Sequence, residues 1–341
     1  MNHKKPTPAL LKWYDKNKRE LPWRKTCDPY KIWVSEIMLQ QTQVATVIPY
    51  FERFIQAFPT IEILAKSPLE KMLGLWSGLG YYRRARHLHE AAKIIYQKKY
   101  FPKTKLEWLE LPGIGEYTAS AIASIAFNEA TAVVDGNVVR VLARVFALQG
   151  HAKALQLKKT VQAKADQLID LKTPGDFNQA MMELGATVCT PKNPNCPQCP
   201  IKSHCLCLSQ GGPEVFPKTS PKKEIVNLNR LALLIERAGN LFLTQRHPQF
   251  RWLKGMYAPL EHWLPNPHIP SKLIQNFSFV GTTQHTITHH KIITYIYKTT
   301  WAQKKLPSTT GQFFSLTEIT DLPLGNLDRK IINQFISKAS S

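Results

Sequence analysis

Hydrophobic periodicity changes character once along this 341-residue chain, and that change constrains the fold more than any other feature. From residue 6 to residue 208 apolar side chains recur at spacings of three and four, the pattern of amphipathic helices, and Pro or Gly punctuates the runs. "DPYKIWVSEIMLQQT", "YYRRARHLHEAAKIIY", "GEYTASAIASIAF" and "NVVRVLARVFAL" are of this kind. Residues 209–226, "SQGGPEVFPKTSPKKEIV", are rich in Gly, Pro, Ser and Lys without a period, which is the composition of a linker. Beyond it "RLALLIE", "RAGN" and "LFLTQR" read as a β-hairpin, and "KIITYIYKTTW" is strongly strand-prone. The expected organisation is a mainly α domain at 1–208, a linker at 209–227 and an α+β domain at 228–341.

No apolar run approaches the roughly 20 residues that a membrane helix needs, and the start lacks a secretory apolar core. These features set the expectation of a soluble, cytoplasmic protein. Lys and Arg number 45 against 24 Asp and Glu, a net charge of +21. The excess is shared, with 29 basic against 17 acidic residues through position 208 and 16 against 7 beyond. A polyanion is the natural partner, nucleic acid before membrane, because no basic amphipathic anchor stands out.

Two carboxylates attract attention. In "DPYKIWVSEIMLQQT" Asp28 can cap a helix whose first turn holds Pro29. At 100° per residue Ile32, Trp33, Ile37 and Leu39 cluster on one side with Glu36 in the middle, while Lys31 and Ser35 point away. Desolvation on that face raises a carboxyl's pKa and keeps a proton near neutrality, as a general acid requires. A structural ion pair is the plainer alternative for Glu36. In "VVDGNVVRVLARV" Asp135 precedes a helix, where it can serve as a cap, and where the helix N-terminus favours its charged form. One protonated and one ionised carboxyl suit glycosidic cleavage, with a proton for the leaving group and a charge facing the developing cation.

In "LPGIGEYTAS", residues 111–120, Gly113 and Gly115 can present bare backbone N–H groups to an anion at the start of the next helix. With the preceding "TKLEWLEL" this reads as a helix–hairpin–helix clamp on a DNA phosphate. Cys189, Cys196, Cys199 and Cys205 follow a Cys-x6-Cys-x2-Cys-x5-Cys spacing in a Pro- and Asn-rich loop. Four thiolates suit tetrahedral zinc or a cubane iron–sulfur cluster, and ligand type alone leaves both open. Cys207 is an alternative to Cys205, but Cys27 and Cys207 read as spare thiols. "GLGYYRRARHLHEAA" sets Tyr81 and Tyr82 beside Arg83, Arg84 and Arg86, a combination that can wedge bases and hold phosphates, or simply form a solvated basic helix.

Taken together, "LPWR" (21–24), "VSEIMLQQTQVATVIPYFERF" (34–54), "GLGYYRRAR", "LPGIGEYTA", "DGNVVRVLAR", "NQAMMELGA" (178–186) and the four cysteines resemble the MutY-type adenine DNA glycosylases of the helix–hairpin–helix glycosylase superfamily. The resemblance is dense over residues 8–207 and looser beyond. It implies a monofunctional enzyme that flips adenine paired with 8-oxoguanine or guanine out of double-stranded DNA. Glu36 would protonate the base and activate water, and Asp135 would stabilise the oxocarbenium-like sugar. Asn137, Tyr117 and Glu183 match pocket residues, and Trp23 and Arg24 match contacts to adenine. Gln41, Thr42, Leu79 and Tyr81 match elements that wedge the duplex and touch the oxidised base.

The resemblance further implies a 4Fe–4S cluster in the loop 186–207, a monomeric state, a cytoplasmic location on the nucleoid, and a Nudix-like C-terminal domain that reads the oxidised base. That domain lacks a Gly-x5-Glu-x7-Arg-Glu-x2-Glu-Glu run, so nucleotide hydrolysis is not expected of it. Where the family commonly has Phe-Ser-His in the reading loop, this chain has Ile287, Thr288 and His289. An endonuclease III-like enzyme is the nearest alternative, but it would carry Lys at the position of Tyr117. A non-catalytic helix–hairpin–helix DNA-binding protein is the other, and it has no use for a carboxyl on the apolar face of its helix.

Overall fold

The computed structural model describes residues 5–219, 224–247, 249–250, 252–302 and 311–339, so part of the expected linker (220–223) lies outside the described residues. Two compact units divide the chain, and the division is not sequential. One comprises Met1–Lys66 with His87–Pro221, the other Ser67–Arg86 with Lys222–Ser341.

The first unit is helical. It contains α1 (Thr7–Asn17), α2 (Pro29–Leu39), α3 (Val44–Ala57) and α4 (Ile61–Lys66). The second unit takes α5 (Leu69–Trp76) and the first turn of α6 (Arg83–Lys98). The first unit resumes with the rest of α6, α7 (Lys105–Leu109), α8 (Glu116–Phe127), α9 (Gly136–Val145), α10 (Leu155–Leu168), α11 (Pro174–Thr187) and α12 (Leu206–Ser209). Helix starts carry the expected chemistry: Asp28 accepts from Tyr30 N–H, and Thr104 with Glu107 forms a reciprocal capping box on α7.

A core of Val138, Leu142, Val161, Phe177, Met181 and Leu184 joins α9, α10 and α11. Gly175 and Gly185 allow the close approaches. A Cβ at 175 would meet the Ser124 carbonyl at 2.8 Å, and one at 185 would meet the Asn137 Cβ at 2.6 Å. Past α12 the chain stays tied to this unit, since Lys218 N–H donates to the Gly150 carbonyl (3.0 Å).

The second unit is built on a six-stranded mixed sheet, ordered β4–β5–β1–β3–β2–β6. Its strands are β1 (Val226–Arg237), β2 (Asn240–Gln245), β3 (Tyr257–Leu264), β4 (Ser278–Ile287), β5 (His290–Thr300) and β6 (Gly311–Phe314), followed by α13 (Leu316–Asp321) and α14 (Asn326–Ala339). The hairpin read from "RAGN" is there: Arg237 pairs Asn240 across Ala238 and Gly239, both at positive φ. β1 and β5 run parallel and the other pairs antiparallel. β1 is buried on both faces, with Ala232 and Leu234 in one apolar cluster and Leu231, Leu233 and Ile235 in the other. Among the described residues no helix is long and apolar enough to cross a membrane.

Candidate active site

Glu36 sits on α2, which packs against α3 and α8 and is buried along nearly its whole length. The expected split into two faces does not hold. Ser35 is as buried as Ile37, its hydroxyl donating to the Ile32 carbonyl at 2.8 Å. α2 is a central helix rather than an amphipathic one, and neighbours on more than one side cover the residues that helical geometry alone turns outward. Glu36 itself is only 5 % exposed. Burial, aided by the charge of Asp135, pushes its pKa up to about 7, against the opposing pull of the Tyr117 hydrogen bond and Arg24. The Tyr117 hydroxyl, from the first turn of α8, donates to Glu36 Oε2 at 2.7 Å and also approaches Met182 Sδ.

Asp135 caps α9, accepting from Val138 N–H at 2.7 Å through Oδ1 and from Asn137 Nδ2 at 2.8 Å through Oδ2. The expectation that the helix N-terminus keeps this carboxyl below its ordinary pKa is overturned. Burial raises it, outweighing the hydrogen bonds from Val138 and Asn137 and the charge of Arg140. The two acids therefore shift in the same direction. Arg140 continues the arrangement along α9, donating to Asn137 Oδ1 (2.8 Å), the Gly185 carbonyl (2.7 Å) and the Cys189 carbonyl (2.8 Å).

Glu183 on α11 is fully buried and grips two arginines. Arg19 Nε and Nη2 donate to its two oxygens at 2.6 and 2.8 Å, and Arg24 Nη2 donates to Oε2 at 2.8 Å. Burial opposes the charge, but Arg19 and then Arg24 overcome it and bring the carboxyl down to about 2. Sequence reading missed Arg19. Its signal is faint, an ordinary basic residue just ahead of "LPWR", and only the fold brings it to a residue 164 positions away. Trp23, in the short turn beside Arg24, is buried edge-on against Phe51.

These side chains surround one cavity of about 200 Å³, whose lining includes Glu36, Asp135, Tyr117, Asn137, Glu183 and Arg24. Trp23 and Thr42 border it too. A buried carboxyl near neutrality, a second acid at a helix N-terminus and a charged carboxylate locked to arginines thus share one chamber of small-molecule size.

The turn between α7 and α8 holds Gly113 and Gly115, both exposed. Gly113 is required by the protein's own geometry: its φ is +79°, and a Cβ there would lie 2.4 Å from that of His87. Gly115, at the start of α8, has nothing within 4 Å of where a Cβ would sit. Bareness at 113 thus has an internal cause, whereas open space in front of α8 is a property of 115.

Cys189, Cys196, Cys199 and Cys205 line a common cavity, and Cys207 lies outside it in the core. Buried Arg144 fastens this loop to α9, donating to Cys189 Sγ (3.3 Å) and to the carbonyls of Thr190 and Pro191. Burial and then the neighbouring thiols push Cys199 up to about 11. Among the described residues no three His, Cys, Asp or Glu side chains converge closely enough to hold a single metal ion.

In the second unit Tyr81 is exposed and adopts a φ of +49°, between Gly80 at +72° and α6. Leu79 and Tyr82 are buried, so of the two tyrosines only Tyr81 faces outward. Thr288 and His289 form the two-residue tip of the β4–β5 hairpin, with Thr288 exposed at φ +56°. Gln41, just beyond α2 in the first unit, is likewise exposed at φ +59°. Left-handed backbone is costly for a residue with a Cβ, though Gln41, Tyr81 and Thr288 share it with positions such as Lys99 and Asn128 that carry no proposed role.

The helical unit, its helix–hairpin–helix turn and this chamber define a DNA-repair glycosylase fold of the helix–hairpin–helix class. Residues 34–167 match the family described as HhH-GPD superfamily base excision DNA repair protein. A thermostable thymine-DNA glycosylase structure superposes with a TM-score of 0.54 at 28 % identity, covering 60 % of this chain and 95 % of that one. A non-covalent endonuclease III–DNA complex shares the fold at 22 % identity and TM-score 0.51, covering 60 % and 94 %.

Within that class the chain belongs to the adenine DNA glycosylase family. It is 41 % identical over 257 residues to the adenine DNA glycosylase of Buchnera aphidicola subsp. Baizongia pistaciae (strain Bp), covering 74 % of this chain and 72 % of that protein. Against the Homo sapiens adenine DNA glycosylase it is 51 % identical over 209 residues, 58 % of this chain and 38 % of that one. The match thus spans about two fifths of the mammalian relative's length.

Proposed function

We propose that this protein removes adenine mispaired with 8-oxoguanine or guanine in double-stranded DNA, by hydrolysis of the N-glycosidic bond. The observation that carries the proposal is Glu36, buried with its pKa near 7 and facing a chamber that Asp135 also lines. Glu36 donates its proton to the imidazole-ring nitrogen of the flipped adenine. The electron pair of the glycosidic bond then leaves with the base, and Asp135 faces the cationic sugar that remains. The Glu36 carboxylate accepts a proton from water as the water oxygen bonds to the anomeric carbon. Products are free adenine and an intact abasic site, and Glu36 is again protonated.

Asn137 and Val138 N–H hold Asp135 in place, while Tyr117 orients Glu36. Arg19, Arg24 and Glu183 form a rigid charged wall, with Trp23 beside it, against which adenine is oriented. An endonuclease III-like lyase needs an amine to attack the sugar, and the group at that place is the Tyr117 hydroxyl, which is engaged with Glu36. We therefore read the enzyme as monofunctional.

The four cysteines fit a 4Fe–4S cluster better than zinc. Zinc would require all four sulfurs within about 3.8 Å of each other around one ion bonded at about 2.3 Å, whereas a cubane cluster holds its ligands farther apart. Four thiols around a shared cavity suit a cluster whose own body separates its ligands. Cys189, Cys196, Cys199 and Cys205 would hold such a cluster, whose iron would stabilise their thiolate forms and tie the loop 186–207 together. Gln41, Thr42 and Tyr81 enter or flank the duplex, Leu79 stays buried at the base of the loop, the N–H groups of Gly113 and Gly115 meet a phosphate, and Thr288 and His289 in a Nudix-like domain read the oxidised base.

Single-turnover assays on duplexes with adenine opposite 8-oxoguanine, guanine or cytosine test the reading. Adenine release should follow that order of preference, and strands should break only after alkali. Release independent of the opposing base, or none, refutes it.

A further inference from the structure

The loop Ser77–Tyr82 is fastened to the turn Leu322–Arg329 ahead of and within the first turn of α14. The Ser77 and Tyr82 hydroxyls both donate to the Leu324 carbonyl, at 3.0 and 3.1 Å. Asn326 Nδ2 donates to the Gly78 carbonyl (3.2 Å), and Arg329 Nη2 donates to Ser77 Oγ (3.1 Å) and to the Leu322 carbonyl (3.3 Å). Gly78 N–H donates in turn to the Tyr82 hydroxyl at 3.2 Å. α5 leads into the loop with Gly74, where a Cβ would stand 2.9 Å from the Asp321 carbonyl. The loop therefore lies directly on this turn.

The turn is itself locked. Leu324 is fully buried in the apolar cluster under the sheet, and Tyr257 N–H donates to the Pro323 carbonyl at 2.9 Å. Asp328, with no exposed surface, is held by Arg230 Nη1 at 2.9 Å and Arg246 Nη1 at 2.8 Å. Glu261 completes the buried set by pairing with both arginines. A segment pinned by buried charges cannot shift without exposing or unpairing them.

What the turn holds is an otherwise costly backbone. Gly78, Gly80 and Tyr81 all have positive φ, and Tyr81 has a Cβ that disfavours it. Within the loop Trp76 Nε1 and Arg84 Nη2 both donate to the Gly80 carbonyl (3.2 Å each), and the Arg84 guanidinium lies 5.5 Å from the Tyr81 ring centroid. Those contacts shape the tip, while the contacts to Ser77, Gly78 and Tyr82 fix its base.

We propose that the turn Leu322–Arg329 is a brace that sets the loop Ser77–Tyr82 in the form that enters DNA, with Asn326 and Arg329 as positioning residues for Tyr81. This rests on the reading of Tyr81 as a duplex-entering side chain. It gives the C-terminal half of the chain a second role, preparing the unstacking of the target base independently of any contact it makes to the oxidised base.

The test uses the whole 341-residue chain, purified with whatever metal it carries, and a duplex with 2-aminopurine next to the mispaired adenine. Its fluorescence rise reports unstacking, and adenine release is followed in the same samples. In the double variant Asn326→Ala/Arg329→Ala the loop loses its hydrogen bonds from Asn326 and Arg329, the turn loses the one to Leu322, and the unstacking rate should fall about tenfold. Adenine release from a bubble substrate, where the flanking bases are already unstacked, should stay at the wild-type rate. Arg329→Lys, which keeps a donor, should recover part of the loss.

Unstacking at the wild-type rate in the double variant overturns the brace. So does an equal loss on duplex and bubble, because damage to the whole unit does not discriminate between them. A wild-type protein that releases no adenine from either substrate overturns the functional reading instead, and the brace with it.

Discussion

Glu36 is held in a state that the folded protein should be better off without, and Glu36→Gln makes that measurable. Its carboxyl is raised to about 7 from an ordinary 4.5. A group whose folded pKa lies above its unfolded one supports folding fully below the unfolded value, and that support is lost as pH rises through the folded value. The gap, at about 1.4 kcal/mol per tenfold change in proton affinity, comes to about 3 kcal/mol. Gln carries no charge, keeps an oxygen for the Tyr117 hydroxyl and fills the same volume. The variant should therefore match wild type near pH 4.5 and exceed it by up to about 3 kcal/mol above pH 7.

In urea, where small domains lose about 1–3 kcal/mol per molar, this displaces the midpoint by about 1–3 M at pH 8. The assay is a pair of urea titrations at pH 5 and pH 8, followed by far-UV circular dichroism. Adenine release should meanwhile drop by about 10²–10⁴-fold, as loss of a general acid does. A stability difference that is the same at both pH values, or of opposite sign, refutes the argument that desolvation holds the proton on Glu36.

Tyr117→Phe removes a hydrogen bond that favours the charged form of Glu36. At about 1.5–3 kcal/mol for a bond to a charged group, the alkaline limb of the single-turnover pH–rate profile should move up by about one to two pH units, and a downward move contradicts the assignment. Tyr117→Lys places an amine at the chamber and should create strand nicking without alkali, read on denaturing gels and as a borohydride-trapped adduct. Glu183→Gln should destabilise the protein by about 2 kcal/mol. Because Glu183 is held down to about 2, that deficit should be complete above pH 4.5 and vanish as pH falls toward 2 in acid titrations. Cys199→Ser should lower iron content, measured by atomic absorption, and weaken retention of duplex DNA, while stoichiometric zinc in active wild type would contradict the cluster.

Local pattern determined a good deal of this protein. The shift from helical to alternating periodicity, the cap at Asp28, the "RAGN" hairpin turn and the spacing of the four cysteines are short-range features. They depend on backbone preferences and on neighbours a few residues away. The two acids that line the chamber could also be picked out, because Glu36 lies among apolar residues of one helix and Asp135 stands where a helix begins.

Tertiary structure alone decided how that chemistry is tuned. Glu36 meets Tyr117 across 81 residues, and Glu183 meets Arg19 across 164. Charge–charge and desolvation effects act over a few ångströms of space, whatever the separation in sequence. That is why Asp135 is raised although its helix N-terminus argues for the reverse, and why Ser35 is buried on a helix that seemed to have an outer face. It is also why the segment 67–86, helical in pattern like its neighbours, belongs to the second unit. Its hydrogen-bond partners at Leu324, Asn326 and Arg329 lie 247 to 252 positions onward, beyond the reach of any periodicity.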